Sequence, residues 1–262
     1  MKFFDQLDRV LTHFEKKGIE YAIIRNYDFL KRRSVYQGKD VDICIRSGDV
    51  RSIQTVFRSS GFFKYPINPF SHHLGFAKFI VEQRKLLLVH LHVDGVTGIH
   101  VPYLDADHLL AHRKKYAGHY VSSTDDELLV ILLHCIIDKK GFRKDYRRRI
   151  RALVGQADHE YVTSVLRKRF GQSGIEVWKH VVAGDFEAID IPQLSYAFLV
   201  RPLNLLRYAK VMSCGAMWKC LWLLHSKPLI SLIGMDGAGK TTVSNQIISI
   251  LRKNHLRVQY VY

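Results

Sequence analysis

The sequence predicts an α/β protein in three parts: a small mixed sheet with helices, a helical connector, and the beginning of a second α/β unit. Three observations carry this reading. Apolar residues recur at helical spacing through Phe3–Phe14 and alternate with period two at Val41, Ile43 and Ile45. From Thr124 to about Lys227 the pattern is helical throughout. After Pro228 an apolar run, Leu229–Ile233, leads into a glycine-rich turn and then a further helical pattern. With 262 residues, 47% apolar and 24% charged, the chain can bury a core, which excludes wholesale disorder, collagen-like repeats and a coiled coil.

Taken in order, Phe3, Phe4, Leu7, Val10, Leu11 and Phe14 make one face of a helix that Gly18 stops. Residues 21–24 read as a short strand. A basic loop, Lys31 to Ser34, leads to a strand on which Val41, Ile43 and Ile45 alternate with Asp40, Asp42 and Cys44, giving one acidic face. Residues 49–59 look helical and end at Gly61, and 74–81 and 86–94 are strand candidates. At Thr124-Asp125-Asp126-Glu127, Thr124 is placed to cap a helix with Glu127 three residues on, a capping box. Helices are expected over 125–139, 143–154, 158–170, 175–182 and 194–224, the last split or kinked by Pro202. The domains expected are 1–124, 125–227 and 228–262.

Lys and Arg total 40 against 24 Asp and Glu, a formal charge of +16, so polyanionic partners are expected: nucleoside phosphates, nucleic acid or an anionic surface. The surplus is spread along the chain. Its densest stretch, Lys139–Arg151, holds eight basic residues and one acidic. There Phe142, Tyr146 and Ile150 recur at helical spacing, so an amphipathic helix with a basic solvated face is favoured over a nucleic-acid grip. Cys44, Cys135, Cys214 and Cys220 form no CxxC pair and read as small hydrophobes in a reducing compartment. Asp5, Asp8 and Arg9 interrupt the N-terminal stretch, which does not read as a signal peptide. Charges also break the most apolar region, 195–226, so no membrane span is expected and a cytoplasmic location is. His72, His73, His90, His92 and His100 lack an i, i+4 helical pair or cysteine partners, and read as surface and core histidines.

The most specific motif is Gly234-Met235-Asp236-Gly237-Ala238-Gly239-Lys240-Thr241-Thr242, which satisfies G-x-x-x-x-G-K-[ST] between an apolar strand and a helix. Glycines let backbone N–H groups converge on phosphate oxygens, and the helix N-terminus adds positive charge. Lys240 would neutralise the β- and γ-phosphates of ATP, and the Thr241 hydroxyl would ligate Mg²⁺. This stretch resembles thymidylate kinases and related nucleoside monophosphate kinases. The resemblance, confined to 228–262, implies that Asp236 faces the acceptor nucleotide and that Thr242 adds a donor to the phosphates. Gly234 to Tyr262 span 29 residues, fewer than a βαβ unit needs, so the chain is expected to be a piece of a longer enzyme, the alternative being a remnant loop, and not by itself a competent kinase.

Asp40 and Asp42, two residues apart, fall on one face of a strand, where two carboxylates can hold Mg²⁺ and a nucleoside triphosphate for attack at the α-phosphate. Asp94, on the strand that carries His90 and His92, is the expected third catalytic carboxylate, with His92 the alternative. Over residues 1–105 this order of elements resembles the minimal nucleotidyltransferase domain of the polymerase-β type, as fused upstream of thymidylate-kinase-like P-loops in bacteria. Arg25-Asn26-Tyr27 stands where that family has a glycine-serine turn, and the third acid would align with either His90 or Asp94. The expected function is an ATP-binding phosphotransferase. The alternatives are an active nucleotidyltransferase using Asp40 and Asp42, or a non-catalytic nucleotide-binding module. The acceptor and oligomeric state are not legible.

Overall fold

A computed structural model describes residues 3–32, 40–65, 67, 71–80, 85–98, 100–224 and 239–253. It is an α/β fold with a mixed seven-stranded sheet and, among the described residues, eleven α-helices. The chain gathers into two compact units, Met1–Met217 and Trp218–Tyr262.

In the first unit, α1 (Phe3–Lys16) and α3 (Val50–Ser59), with the short α2 (Phe29–Arg32) between them in the chain, cover one face of the sheet. Leu7, Val10, Leu11 and Phe14 of α1 and Ile53, Val56 and Phe57 of α3 pack against Tyr21, Ile23, Val41, Ile43, Ile45, Val89 and Leu91. Those sheet residues are alternate positions of β1 (Tyr21–Ile23), β2 (Val41–Ile45) and β5 (Lys85–Val93), as the two-residue strand period requires. Strand order is β3-β4-β5-β2-β1-β9-β8, with β3 (Phe63–Tyr65), β4 (His73–Ile80), β8 (Lys114–Tyr116) and β9 (His119–Val121) completing it. β1 pairs antiparallel with β2, and β2 pairs parallel with β5 so that Asp42 lies opposite His90 and Cys44 opposite His92.

The acidic face of β2 is covered: all five of the strand's residues are buried. Ala22, Ile24 and Cys44 belong to a second core built with the helical region. That region comprises α5 (Thr124–Leu133), α6 (Lys144–Val154), α7 (His159–Phe170), α8 (Gln172–Ala183) and α9 (Ile191–Leu199). The expected junction at 124/125 therefore lies inside a shared core, because the sheet needs cover on both faces. The expected junction at 227/228 lies ten residues beyond the boundary between the two units, at 217/218. α5 is capped by Ser123, one residue before the expected Thr124: its Oγ accepts from the Asp126 N–H at 3.0 Å and donates to the Asp126 carboxylate at 2.9 Å. Every residue of α5 from Asp126 to Leu133 is buried, which is why its sequence shows no polar stripe.

The expected helix 125–139 changes form at its end, where His134–Lys139 is one π-helical turn closed by Lys140 in the left-handed region (φ 50°). Gly98, on the β-ribbon strand β6 (Gly95–Gly98), lets this turn approach, since a Cβ there would meet Ile137 Cγ2 at 2.8 Å. The ribbon's other strand is β7 (Val101–Asp105), followed by α4 (Ala106–Ala111). The Lys139–Arg151 stretch is only partly a solvated face. Arg149 turns inward to the wholly buried Glu127 and to Asp28, and Arg147 donates to the Phe142 carbonyl. Pro202 divides the expected 194–224 helix, opening α10 (Pro202–Leu224).

The second unit contains α11 (Lys240–Lys253), which begins immediately after Gly239 in the left-handed region (φ 77°). Among the described residues no helix is long and apolar enough to cross a membrane.

Candidate active site

A cavity of about 480 Å³ opens on the sheet face that carries Asp42, between the strands, the β6–β7 ribbon and the π-helical turn. Arg25, Asp40, His73, His90, His92, His134 and Lys139 are among its lining residues. Three local features aim them inward. The β2 alternation puts Asp42 on this face, and the parallel register sets His90 beside it. Asn26, in the left-handed region (φ 55°), bends the chain after β1, and its N–H donates to Glu127 at 3.2 Å. The π turn brings His134, Asp138 and Lys139 to the opposite wall.

Asp42 is the centre of the arrangement. Arg25 Nε donates to its Oδ2 at 2.7 Å, while Oδ1 faces His92 Nε2 at 3.4 Å and His90 Nδ1 at 3.6 Å. Asp40 Oδ2 lies 3.8 Å from the same His90 nitrogen. On its far side, His90 Nε2 meets His73 Nδ1 at 2.8 Å, and His73 Nε2 contacts the Thr97 hydroxyl. Asp42, His90 and His92 offer ligand atoms all within 4.8 Å of one another, a spacing that one metal ion can bridge.

Electrostatics separates the two carboxylates. Burial opposes the charge on Asp42, but Arg25 and then His90 and His92 outweigh it and hold the carboxyl well below its ordinary range. Asp40 is shifted up, first by burial and then by the charge on Asp42. Burial pushes His73, His92 and His134 down, so these rings are neutral at pH 7. His134 Nδ1 is held by Asp138 Oδ2 at 2.9 Å, and the buried nitrogens His134 Nε2 and His92 Nδ1 have no protein partner among the described residues.

Asp94, the expected third carboxylate, is not brought to this cluster. β5 ends at Val93, and Asp94 turns into the left-handed region (φ 60°), where its Oδ1 accepts the Ser47 N–H at 2.7 Å. The place beside Asp42 is filled by His90 and His92. His73, His90 and His92, expected to be surface and core histidines, converge with ring centroids 4.5–5.0 Å apart. Their convergence needs a strand register that spacing alone does not give. His134 and Asp138 also escaped the sequence reading, although their i, i+4 spacing was a usable signal.

Gly234, Asp236, Gly237 and Ala238 lie outside the described residues. Gly239 and the exposed Thr241 and Thr242 stand at the start of α11, with Lys240 its first, half-buried residue. The fold and site define an α/β protein with a buried carboxylate–imidazole centre. No protein-family model matches the chain, and neither does any curated protein.

Proposed function

We propose that this chain handles nucleoside phosphates, with a metal-assisted transfer centre at Asp40 and Asp42 and an ATP-binding loop leading into α11. The observation that carries the reading is the buried Asp42, on the expected strand, bonded to Arg25 and set beside His90 and His92, all three of which line a cavity that also presents Asp40 and Lys139. The donor set at Asp42 fits Mg²⁺ poorly: one of its oxygens is taken by Arg25, and imidazoles stand where a third carboxylate would. Mixed nitrogen and oxygen donors suit Mn²⁺ or Zn²⁺ better, and Mg²⁺ is assigned to ATP at Thr241.

Bound at Asp42, His90 and His92, such a cation would polarise a phosphoryl oxygen. The chain's own residues supply the rest. Arg25 and Lys139 attract and orient a phosphate ester. Asp138 accepts the Nδ1 proton of His134, which leaves the Nε2 lone pair to take the proton of an attacking hydroxyl. The depressed His134 pKa keeps that base unprotonated at neutral pH.

The test incubates the full chain with α- and γ-labelled nucleoside triphosphates, Mn²⁺ or Mg²⁺, and candidate acceptors. Transfer should be abolished by Asp42→Asn and slowed about 10²–10⁴-fold by His134→Gln. A chain that binds no nucleoside triphosphate under any of these conditions defeats the proposal. The clamp of Arg25 on Asp42 favours a second reading, a nucleotide-binding module without chemistry, and binding without transfer would select it.

A further inference from the structure

A second cluster, sharing no residue with the first, joins His108 of α4, His112 just beyond that helix, and Asp126 in the first turn of α5. His108 and His112 are four residues apart and so stand on one side of the helical turn. His112 Nδ1 lies 3.1 Å from His108 Nε2, which lies 3.5 Å from Asp126 Oδ1, and His112 Nδ1 lies 4.0 Å from Asp126 Oδ2. The Tyr161 hydroxyl of α7 contacts His108 Nε2 and donates to Asp126 Oδ1 at 2.7 Å.

Hydrogen bonding alone satisfies this group badly. An imidazole nitrogen has a single in-plane proton or lone pair, yet His108 Nε2 is approached by a phenol, a second imidazole and a carboxylate. Asp126 is fully buried, and its ion pairs among the described residues are with these two histidines only, with no Lys or Arg. A buried carboxylate without a fixed cation is costly. Four ligand atoms at bonds of about 2.05 Å to a tetrahedral ion sit about 3.3 Å apart, and the observed separations bracket that edge. Ser123, which donates to Asp126 Oδ2, orients the carboxylate as outer-shell partners of metal ligands do.

We infer that His108, His112 and Asp126 bind one Zn²⁺-class divalent cation, with Tyr161 or water as the fourth ligand. The ion ties α4 to the helical layer. His112 is half exposed, which gives the ion a route from solvent. Imidazole and carboxylate donors select Zn²⁺, Co²⁺ or Ni²⁺ over Mg²⁺.

The test titrates the metal-stripped full chain with Co²⁺, read by visible absorption, and with Zn²⁺, read by calorimetry. The Asp42 cluster is disabled throughout by His92→Ala. One equivalent should bind with a tetrahedral Co²⁺ spectrum, and adding His112→Ala should weaken it at least 100-fold. Binding that is absent in the His92→Ala protein, or unchanged by His112→Ala, overturns the inference. His112 lies at the protein surface, but should its variant fail to fold, Zn²⁺ X-ray absorption on the His92→Ala protein decides instead. A shell without two imidazole nitrogens refutes the site.

Discussion

Arg25 and Asp42 offer the sharpest test of how the cavity is held together. Their side chains are 14% and 5% exposed and meet at 2.7 Å, so Arg25→Met removes the guanidinium that neutralises the buried Asp42 carboxylate. At that distance, and an effective dielectric near 20, the gross attraction is about 6 kcal/mol. Desolvation offsets part of it, and truncating one partner of a buried pair costs about 3–5 kcal/mol. For a unit of this size that corresponds to a fall in Tm of roughly 6–20 °C. Urea unfolding followed by the fluorescence of the buried Trp178 measures the loss. The pH dependence has a definite sign. In the wild-type protein Asp42 is depressed, so its contribution is fully present above the unfolded carboxylate pKa of about 3.9 and is lost as pH falls through its lower native value. Without Arg25, burial raises the same carboxyl above about 3.9, and its ionised form then destabilises the fold. The gap between the two proteins should therefore narrow on acidification, by at most about 1.4 kcal/mol per pH unit. Adding Asp42→Asn should restore stability to Arg25→Met at pH 7. A loss below about 1 kcal/mol, a gap that does not change with pH, or a double variant no more stable than Arg25→Met would refute the reasoning.

Two further perturbations test the helical layer. Arg149 donates to both oxygens of the fully buried Glu127 at 2.8 Å, so Arg149→Met should cost about 3–5 kcal/mol in urea unfolding, and Glu127→Gln in the same chain should recover part of it. Gly174 lets α8 pass close to α7: a Cβ there would lie 2.2 Å from the Leu166 carbonyl oxygen, a backbone atom with little room to give. Gly174→Ala should therefore destabilise by about 1–3 kcal/mol on thermal melting, despite the higher helix propensity of alanine.

Local pattern carried most of the elements, because helical and strand periodicities are set by the backbone that makes them. Phe3–Phe14 became α1, and the Val41–Ile45 alternation became β2 with Asp42 on its predicted face. What lay opposite that face was hidden. An Asp–Cys face reads as solvated until a helical layer covers it, and that layer's own α5 has no polar stripe to announce its burial. Asp94 misled for a different reason. Counting by twos from His90 places it on the cluster's side, but the count fails where the chain leaves β5 with a positive φ. His108 and His112 were spaced for a metal in plain view, yet α4 is only six residues long and its apolar pattern is too brief to mark a helix.

The charges around the Asp42 cavity impose a coupling that neither carboxylates nor histidines would show alone. Arg25 and Lys139 bring two positive charges to its lining, Asp40 and Asp138 bring two negative ones, and the buried Asp42 adds a third from behind Arg25 and His90. Burial keeps His73, His92 and His134 neutral, so they do not redress the balance at pH 7. A phosphate ester therefore meets a cavity whose fixed charge is slightly unfavourable. A divalent cation at Asp42, His90 and His92 reverses that sign, and the ester in turn supplies oxygens that this cation lacks in the protein. On the proposed function, cation and phosphate ester must then each strengthen the binding of the other by the same factor, since the coupling is one free energy shared by two ligands. On the same proposal Arg25 would set the strength of that coupling, because its bond to Asp42 Oδ2 leaves the cation a single oxygen of that carboxylate until a phosphate competes for the guanidinium.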